Sequence, residues 1–186
     1  MGRTCKNILI LTASGRINSN SSALADAFAN KAKERGHNVT IVNTIDLNIK
    51  PCFGCGQCYD NGTACIFNDD FEKIAPQIIA ADVLVFAFPV YWYSIPAQMK
   101  LVIDKFITFT WGRIPMRGKQ CALLTCAEET NKKYVFEDVS GTYDKIVSFM
   151  NWNSIGKVMQ EGVYNIGEIK GTKAIKAAEQ IVTSYL

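Results

Sequence analysis

The sequence predicts an α/β fold: a doubly wound, five-stranded parallel sheet of order 2-1-3-4-5, in a single domain. Three observations predict it. Short apolar runs alternate with longer stretches of three-to-four apolar spacing, in the order β-α-β-α-β-α-β-α-β. The runs are apolar almost throughout, as strands covered on both faces must be. No internal repeat, low-complexity segment or linker divides the chain.

The first strand spans Lys6 to Thr12 and the first helix Asn20 to Arg35, with Leu24, Ala27, Phe28 and Lys31/Ala32 on one face and Gly36 as its stop. The second strand is Asn38 to Asn43. Asn68-Asp69-Asp70 signals a helix start, so the second helix runs from Asp70 to Ala80. Pro76 inside it should cost one backbone hydrogen bond. Asp82 to Phe88 is the most hydrophobic strand and belongs in mid-sheet; Pro89 ends it. Pro96 to Phe109 is helical, with Met99, Val102, Ile103 and Phe106 on one face. Lys119 to Thr125 is the fourth strand, and Tyr143 to Met150 a helix. An edge strand lies within Trp152 to Tyr164, and Thr172 to Leu186 is a final helix.

A chain of 186 residues is large enough for one sizeable core. Its formal charge is +3 and its basic residues are scattered, which argues against nucleic acid as a partner. No apolar run reaches membrane-spanning length and no signal peptide opens the chain, so no membrane association and a cytoplasmic location are expected. Seven cysteines, four of them crowded together, do not form the pattern of a secreted disulfide framework. The lone His37 opens the second strand, away from the candidate loops, and reads as structural or solvent-facing.

In open parallel sheets, ligands sit beyond the carboxyl ends of the strands, where the strand order reverses. Three loops are therefore diagnostic. After the first strand comes Thr12-Ala13-Ser14-Gly15-Arg16-Ile17-Asn18-Ser19-Asn20-Ser21-Ser22, rich in hydroxyls and amides and free of acid. Such a loop can be an ordinary capped turn. It can equally hold an anion, because the helix start behind it offers unpaired N–H groups and the positive end of a dipole. After the third strand, Pro89-Val90-Tyr91-Trp92-Tyr93-Ser94 carries three adjacent aromatics, either packed at a loop or dimer surface or forming a wall for a flat ring. After the fourth, Thr125-Cys126-Ala127-Glu128 is small and polar enough to offer backbone groups to a ring edge. Together the loops suit a phosphate-bearing aromatic nucleotide such as FMN.

Thr12-Ala13-Ser14-Gly15-Arg16 with Asn18-Ser19-Asn20-Ser21, then Pro89-Val90-Tyr91-Trp92, resembles the NAD(P)H-dependent FMN reductase family of flavodoxin-like proteins. Ile49-Lys50-Pro51-Cys52-Phe53-Gly54-Cys55-Gly56-Gln57-Cys58 resembles its cysteine-bearing branch, which includes iron–sulfur flavoproteins, and the tail Gly162 to Gly171 is similar too. The resemblance implies one flavodoxin-like FMN-binding domain over 1–186, with a cysteine-rich loop at about 51–67. By position, Ser14, Arg16, Asn18, Asn20, Ser21 and Ser22 would hold the phosphate. Pro89, Val90, Tyr91, Trp92, Tyr93 and Ser94 would contact the ring, and Thr125, Cys126, Ala127 and Glu128 would lie near its pyrimidine end. The implied reaction is hydride transfer from NAD(P)H to the flavin and on to a small acceptor: a quinone, a nitro compound or free flavin. The flavin carries that chemistry, so no side chain is expected to be catalytic. A homodimer is implied as well.

Cys52, Cys55, Cys58 and Cys65 leave three readings open. Two-residue gaps suit the thiolate ligands of a [4Fe–4S] cluster better than zinc knuckles. The thiols can instead shape the loop unligated, or form a reversible disulfide. With a cluster, the protein would be an iron–sulfur flavoprotein passing electrons to or from ferredoxin. A third alternative is a non-enzymatic redox or metal sensor.

Overall fold

Alternate residues of the central strands face opposite ways, and both faces are apolar. In the computed structural model, which describes residues 4–186, Leu9 and Leu11 of β1 (Asn7–Thr12) enter one core while Ile8 and Ile10 enter the other. In β3 (Val83–Pro89), Leu84, Phe86 and Phe88 side with the first core, and Val83, Val85 and Ala87 with the second. A strand buried on both sides must be covered by helices on both sides. The expected domain over 1–186 has its first three residues outside the described ones.

The sheet contains β2 (Asn38–Asn43), β4 (Gln120–Cys126) and β5 (Asn153–Gln160) besides β1 and β3. Its order is β2-β1-β3-β4-β5 and every pairing is parallel. This is the flavodoxin-like order expected. The register is regular except between Cys121 and Ala122, where β5 shifts by one residue against β4. A Cβ at the nearby Gly156 would stand 2.8 Å from Ile181, so its absence lets the last helix press onto β5.

One layer consists of α1 (Asn20–Glu34) and α6 (Ala174–Tyr185), which bury Leu24, Phe28, Ala178 and Val182. The other holds α2 (Phe71–Ala80), α3 (Ala97–Asp104), α4 (Ile107–Trp111) and α5 (Lys132–Met150). Pro76 stays inside α2, because Phe71, Ile74, Ala75 and Ile78 bury enough apolar surface to outweigh its missing donor.

Two helices differ from expectation. The stretch predicted as one helix from Pro96 to Phe109 is two, broken at Lys105, whose side chain turns into the interior. The helix predicted from Tyr143 begins eleven residues earlier, at Lys132, where the Asn131 side chain caps the Tyr134 N–H. Val135, Phe136, Val139, Tyr143 and Val147 bury one continuous stripe. That packing overrides the weak propensity of Val139-Ser140-Gly141-Thr142. His37 is buried, and its Nδ1 accepts the Lys6 N–H at 3.2 Å, so it is structural. Among the described residues no helix is long and apolar enough to cross a membrane.

Candidate active site

The strand order reverses between β1 and β3, and a cleft opens at their carboxyl ends. Its first wall is the start of α1: Ser14, Arg16, Ser19, Asn20 and Ser21. Ser19 is the N-cap, its Oγ accepting the Ser22 N–H at 3.1 Å. That hydroxyl also lies 3.2 Å from Ser21 Oγ and 2.8 Å from Ser22 Oγ. No acid occupies the first turn. The result is a cluster of hydroxyls around a helix N-terminus, a place where an anion is stabilised.

The second wall is Pro89-Val90-Tyr91, and the third Cys126-Ala127-Glu128. A hydrogen bond from Val90 N to Cys126 O at 2.8 Å ties them together. Beyond them Tyr91 and Ser94 pair in both directions, at 3.1 and 3.0 Å, and Trp92 and Tyr93 form the corner of this tight turn with φ of 47° and 60°. Two successive non-glycine residues at positive φ are costly, and such strain concentrates at functional sites. Trp92 is 94 % exposed, and Tyr93 stacks edge-on with Tyr134 at 5.1 Å.

Val163 and Tyr164 complete the cleft from the loop after β5. Arg16 donates through Nη1 to Tyr164 O at 2.9 Å and lies 5.0 Å from the centre of its ring. The Asn20 carboxamide holds the same loop three times: Nδ2 donates to Asn165 O (2.9 Å), and Oδ1 accepts the N–H groups of Gly167 (3.1 Å) and Ile169 (3.3 Å). Glu168 closes that loop on itself by accepting the N–H groups of Tyr164 and Asn165. These bonds keep its carboxyl below the ordinary range, the side-chain bond from Asn165 being the largest cause.

The cleft thus brings together Ser14, Arg16, Asn20, Ser21, Pro89, Val90, Tyr91, Cys126, Ala127 and Glu128 of the residues expected there. The Thr125 side chain is fully buried in the sheet, its hydroxyl donating to Phe88 O at 2.7 Å, and does not line the cleft. Asn18, Ser22, Trp92, Tyr93 and Ser94 do not line the cleft either. Ser22 caps the Ser19 cluster from behind, and the corner geometry carries Trp92 outward. Ser19, Val163 and Tyr164 were not expected. Ser19 could have been found as the hydroxyl just before the helical run. Tyr164 is 148 residues from Arg16, and its signal was the resemblance of the tail Gly162 to Gly171, to which no site role was given. The charged side chains of the cleft are Arg16 and Glu128. The Cys126 thiol, pushed up to about 12 by burial, stays protonated and is no nucleophile at neutral pH.

A second recess shares no lining residue with the cleft. All four of Cys52, Cys55, Cys58 and Cys65 line it, against Phe53, Ile66, Phe67, Ile107 and Trp111. All four are free thiols. Burial pushes the Cys58 thiol up, a bond to Thr108 pulls it partly back, and Cys52, Cys55 and Cys65 push it up further. Glu72 pins the strand of the loop that bears Cys65, accepting the N–H groups of Ala64 (3.0 Å) and Cys65 (2.7 Å). Lys105 Nζ donates to Cys65 Sγ at 3.3 Å and pairs with Asp69 at 2.5 Å, both side chains being 2 % exposed. Burial opposes ionisation of Asp69, but the Lys105 bond and the N–H groups of Lys50 and Phe71 hold its carboxyl below the ordinary range. Among the described residues, no group of three or more His, Cys, Asp or Glu side chains is arranged to hold a metal ion. By type and number, four free thiols lining one apolar recess are the donor set of a thiolate-ligated cluster.

Comparison with known proteins agrees with this geometry. The chain is 28 % identical over 163 residues to an iron–sulfur flavoprotein of Archaeoglobus fulgidus, the match covering 87 % of this chain and 70 % of that one. It is 30 % identical over 121 residues to an iron–sulfur flavoprotein of Methanosarcina thermophila, covering 65 % of this chain and 63 % of the relative. The NAD(P)H:quinone oxidoreductase of Methanothermobacter marburgensis superposes with a TM-score of 0.75 at 17 % identity, over 96 % of this chain and 95 % of that one. Residues 6–133 match the family described as NADPH-dependent FMN reductase, more than half of the chain, and the chain belongs to that family.

Proposed function

We propose that the cleft holds FMN and that the protein is an NAD(P)H-dependent FMN oxidoreductase acting on a small acceptor such as a quinone. The observation that carries this is the convergence of four loop ends on one cleft, polar hydroxyls at the α1 start and a Pro89–Tyr91 wall opposite. Ser14, Ser19 and Ser21 would bind the phosphate by hydroxyl and N–H donation, and Arg16 would offset its charge. Pro89 to Tyr91 and Cys126 to Glu128 would flank the ring. When bound, the flavin accepts a hydride from NAD(P)H and passes two electrons to the acceptor. This chain's residues orient it and leave a face open; none is required to move a proton.

The test is anaerobic: NADPH and NADH oxidation by FMN-loaded protein, with and without a benzoquinone. One hydroquinone formed per nicotinamide consumed is expected. A colourless protein that cannot be reconstituted with FMN would refute the reading.

A second reading is supported by the cysteine recess. Cys52, Cys55, Cys58 and Cys65 would ligate a [4Fe–4S] cluster, and the protein would exchange single electrons with a ferredoxin-like partner. Anaerobic purification should then give a brown protein with about four irons per chain, the content of one such cluster. A homodimer fits the exposed Phe53, Trp111 and Phe149, and the free thiols fit a reducing, cytoplasmic location.

A further inference from the structure

The Lys105–Asp69 pair is an expensive feature to bury. Two charges leave water, and a well-packed apolar pair of similar size would serve stability as well or better. Lys105 also interrupts the helix predicted through Pro96–Phe109, ending α3 at Asp104. Its ammonium lies 5.6 Å from the centre of the Phe71 ring and donates to Cys65 Sγ at 3.3 Å. Cys65 is in turn the cysteine whose backbone is fixed, by Glu72, and its loop is held further by the Thr108 hydroxyl on Ala64 O. Cys52 and Cys55 are exposed and carry no such anchor among the bonds described.

We propose that Lys105 is a positioning residue that sets the reduction potential of the cysteine recess. It holds Cys65 Sγ as a ligand and stabilises the more negative, reduced state of a bound [4Fe–4S] cluster. Asp69 pairs with Lys105 and moderates its charge. The proposal rests on the cluster reading. One-electron reduction of a cube with four thiolates adds one negative charge to the recess and breaks no bond. A fixed cation at 3.3 Å from a ligand sulfur favours that added charge, through both its field and its hydrogen bond. The Asp69 carboxylate, paired with the same ammonium at 2.5 Å, opposes it. The two members of the pair therefore act with opposite sign.

The full-length chain is reconstituted anaerobically with ferrous iron and sulfide. Iron and FMN are then measured on each sample, and the cluster potential is followed by electron paramagnetic resonance during dithionite titration. Lys105→Met should lower the potential by about 59 mV, a tenfold fall in the ratio of reduced to oxidised cluster for a one-electron couple. Asp69→Asn, which removes the charge and retains one acceptor oxygen, for either the Lys50 or the Phe71 N–H, should raise it. The double variant Lys105→Met with Asp69→Asn removes both charges without stranding either; it should fall between Lys105→Met and wild type, and serves if a single variant fails to fold. Retained FMN certifies the fold. A purely structural pair would alter melting temperature and leave potentials unmoved. Unmoved potentials, or shifts of the same sign in both single variants, overturn the proposal while leaving the cluster reading intact. A wild-type chain that takes up no iron overturns both.

Discussion

Asn20 shows how one side chain can matter to a site through what it holds. Its carboxamide is spent on Asn165, Gly167 and Ile169, so it fastens the loop carrying Tyr164 against the start of α1. Asn20→Ala leaves the buried Ile169 N–H unpaired, at a cost of about 1–3 kcal/mol. FMN affinity, measured by quenching of flavin fluorescence, should fall roughly tenfold, the equivalent of about 1.4 kcal/mol. An affinity equal to wild type would show that the tether does not shape the cleft. Asp69 offers a test in pH. Its carboxyl is depressed in the folded protein, so its stabilisation is fully present above the unfolded value of about 3.9 and is lost as pH falls through the lower folded value. Melting temperatures of the wild type should hold near pH 5–7 on this account and drop below about pH 4. Asp69→Asn should start lower, by about 3–5 kcal/mol for a broken buried pair, and show a shallower acid slope. Equal slopes in the two proteins would remove Asp69 from the acid transition.

At the scale of elements, the cysteine loop is held open by glycine. Gly54 and Gly56 both have positive φ, at 64° and 74°. A Cβ at Gly54 would meet nothing within 4 Å, whereas one at Gly56 would lie 2.3 Å from Trp111 Cζ3. Gly54→Ala therefore carries only the left-handed backbone cost, about 1–2 kcal/mol. Gly56→Ala carries that and displaces Trp111 from the recess wall. Melting temperature should fall more for Gly56→Ala, and iron uptake should fall with it while FMN uptake persists. Equal losses at the two glycines would contradict the contact. The same contrast between local and distant causes explains what the sequence could reveal about elements. The strands were legible because burial on both faces leaves continuous apolar runs, as in Val83–Phe88. The N-terminal half of α5 was not, because its helix depends on packing of Val135, Phe136 and Val139 rather than on propensity. The inward turn of Lys105 at the break was hidden too: its partner, Asp69, is 36 residues away.

For the whole molecule, chain order alone predicts where the cleft must be. An order of β2-β1-β3-β4-β5 reverses between β1 and β3, and the loops that follow those strands were readable as ligand loops from their residue types. The fourth wall was visible only as a family-like tail, with no site role read from it. Val163 and Tyr164 reach the α1 start only because β5 is laid beside β4 and its exit loop is carried back over the sheet end. The assembled cleft has a polar end at Ser14, Ser19 and Ser21 and a Pro89–Tyr91 end, so a ligand's two ends should contribute separately to binding. Thermal shifts on flavin-free protein measure this. A ligand that binds only the folded state stabilises by about 2.7 kcal/mol at a hundred times its Kd, roughly 5–10 °C for a domain of this size. FMN should give that shift. Riboflavin, which has the same ring and no phosphate, should give only a small fraction of it at equal concentration, and inorganic phosphate should compete with FMN. The helix N-terminus and Arg16 would then be supplying the anion-binding share of the affinity. Equal shifts from FMN and riboflavin would mean that the hydroxyl cluster at the start of α1 binds no phosphate.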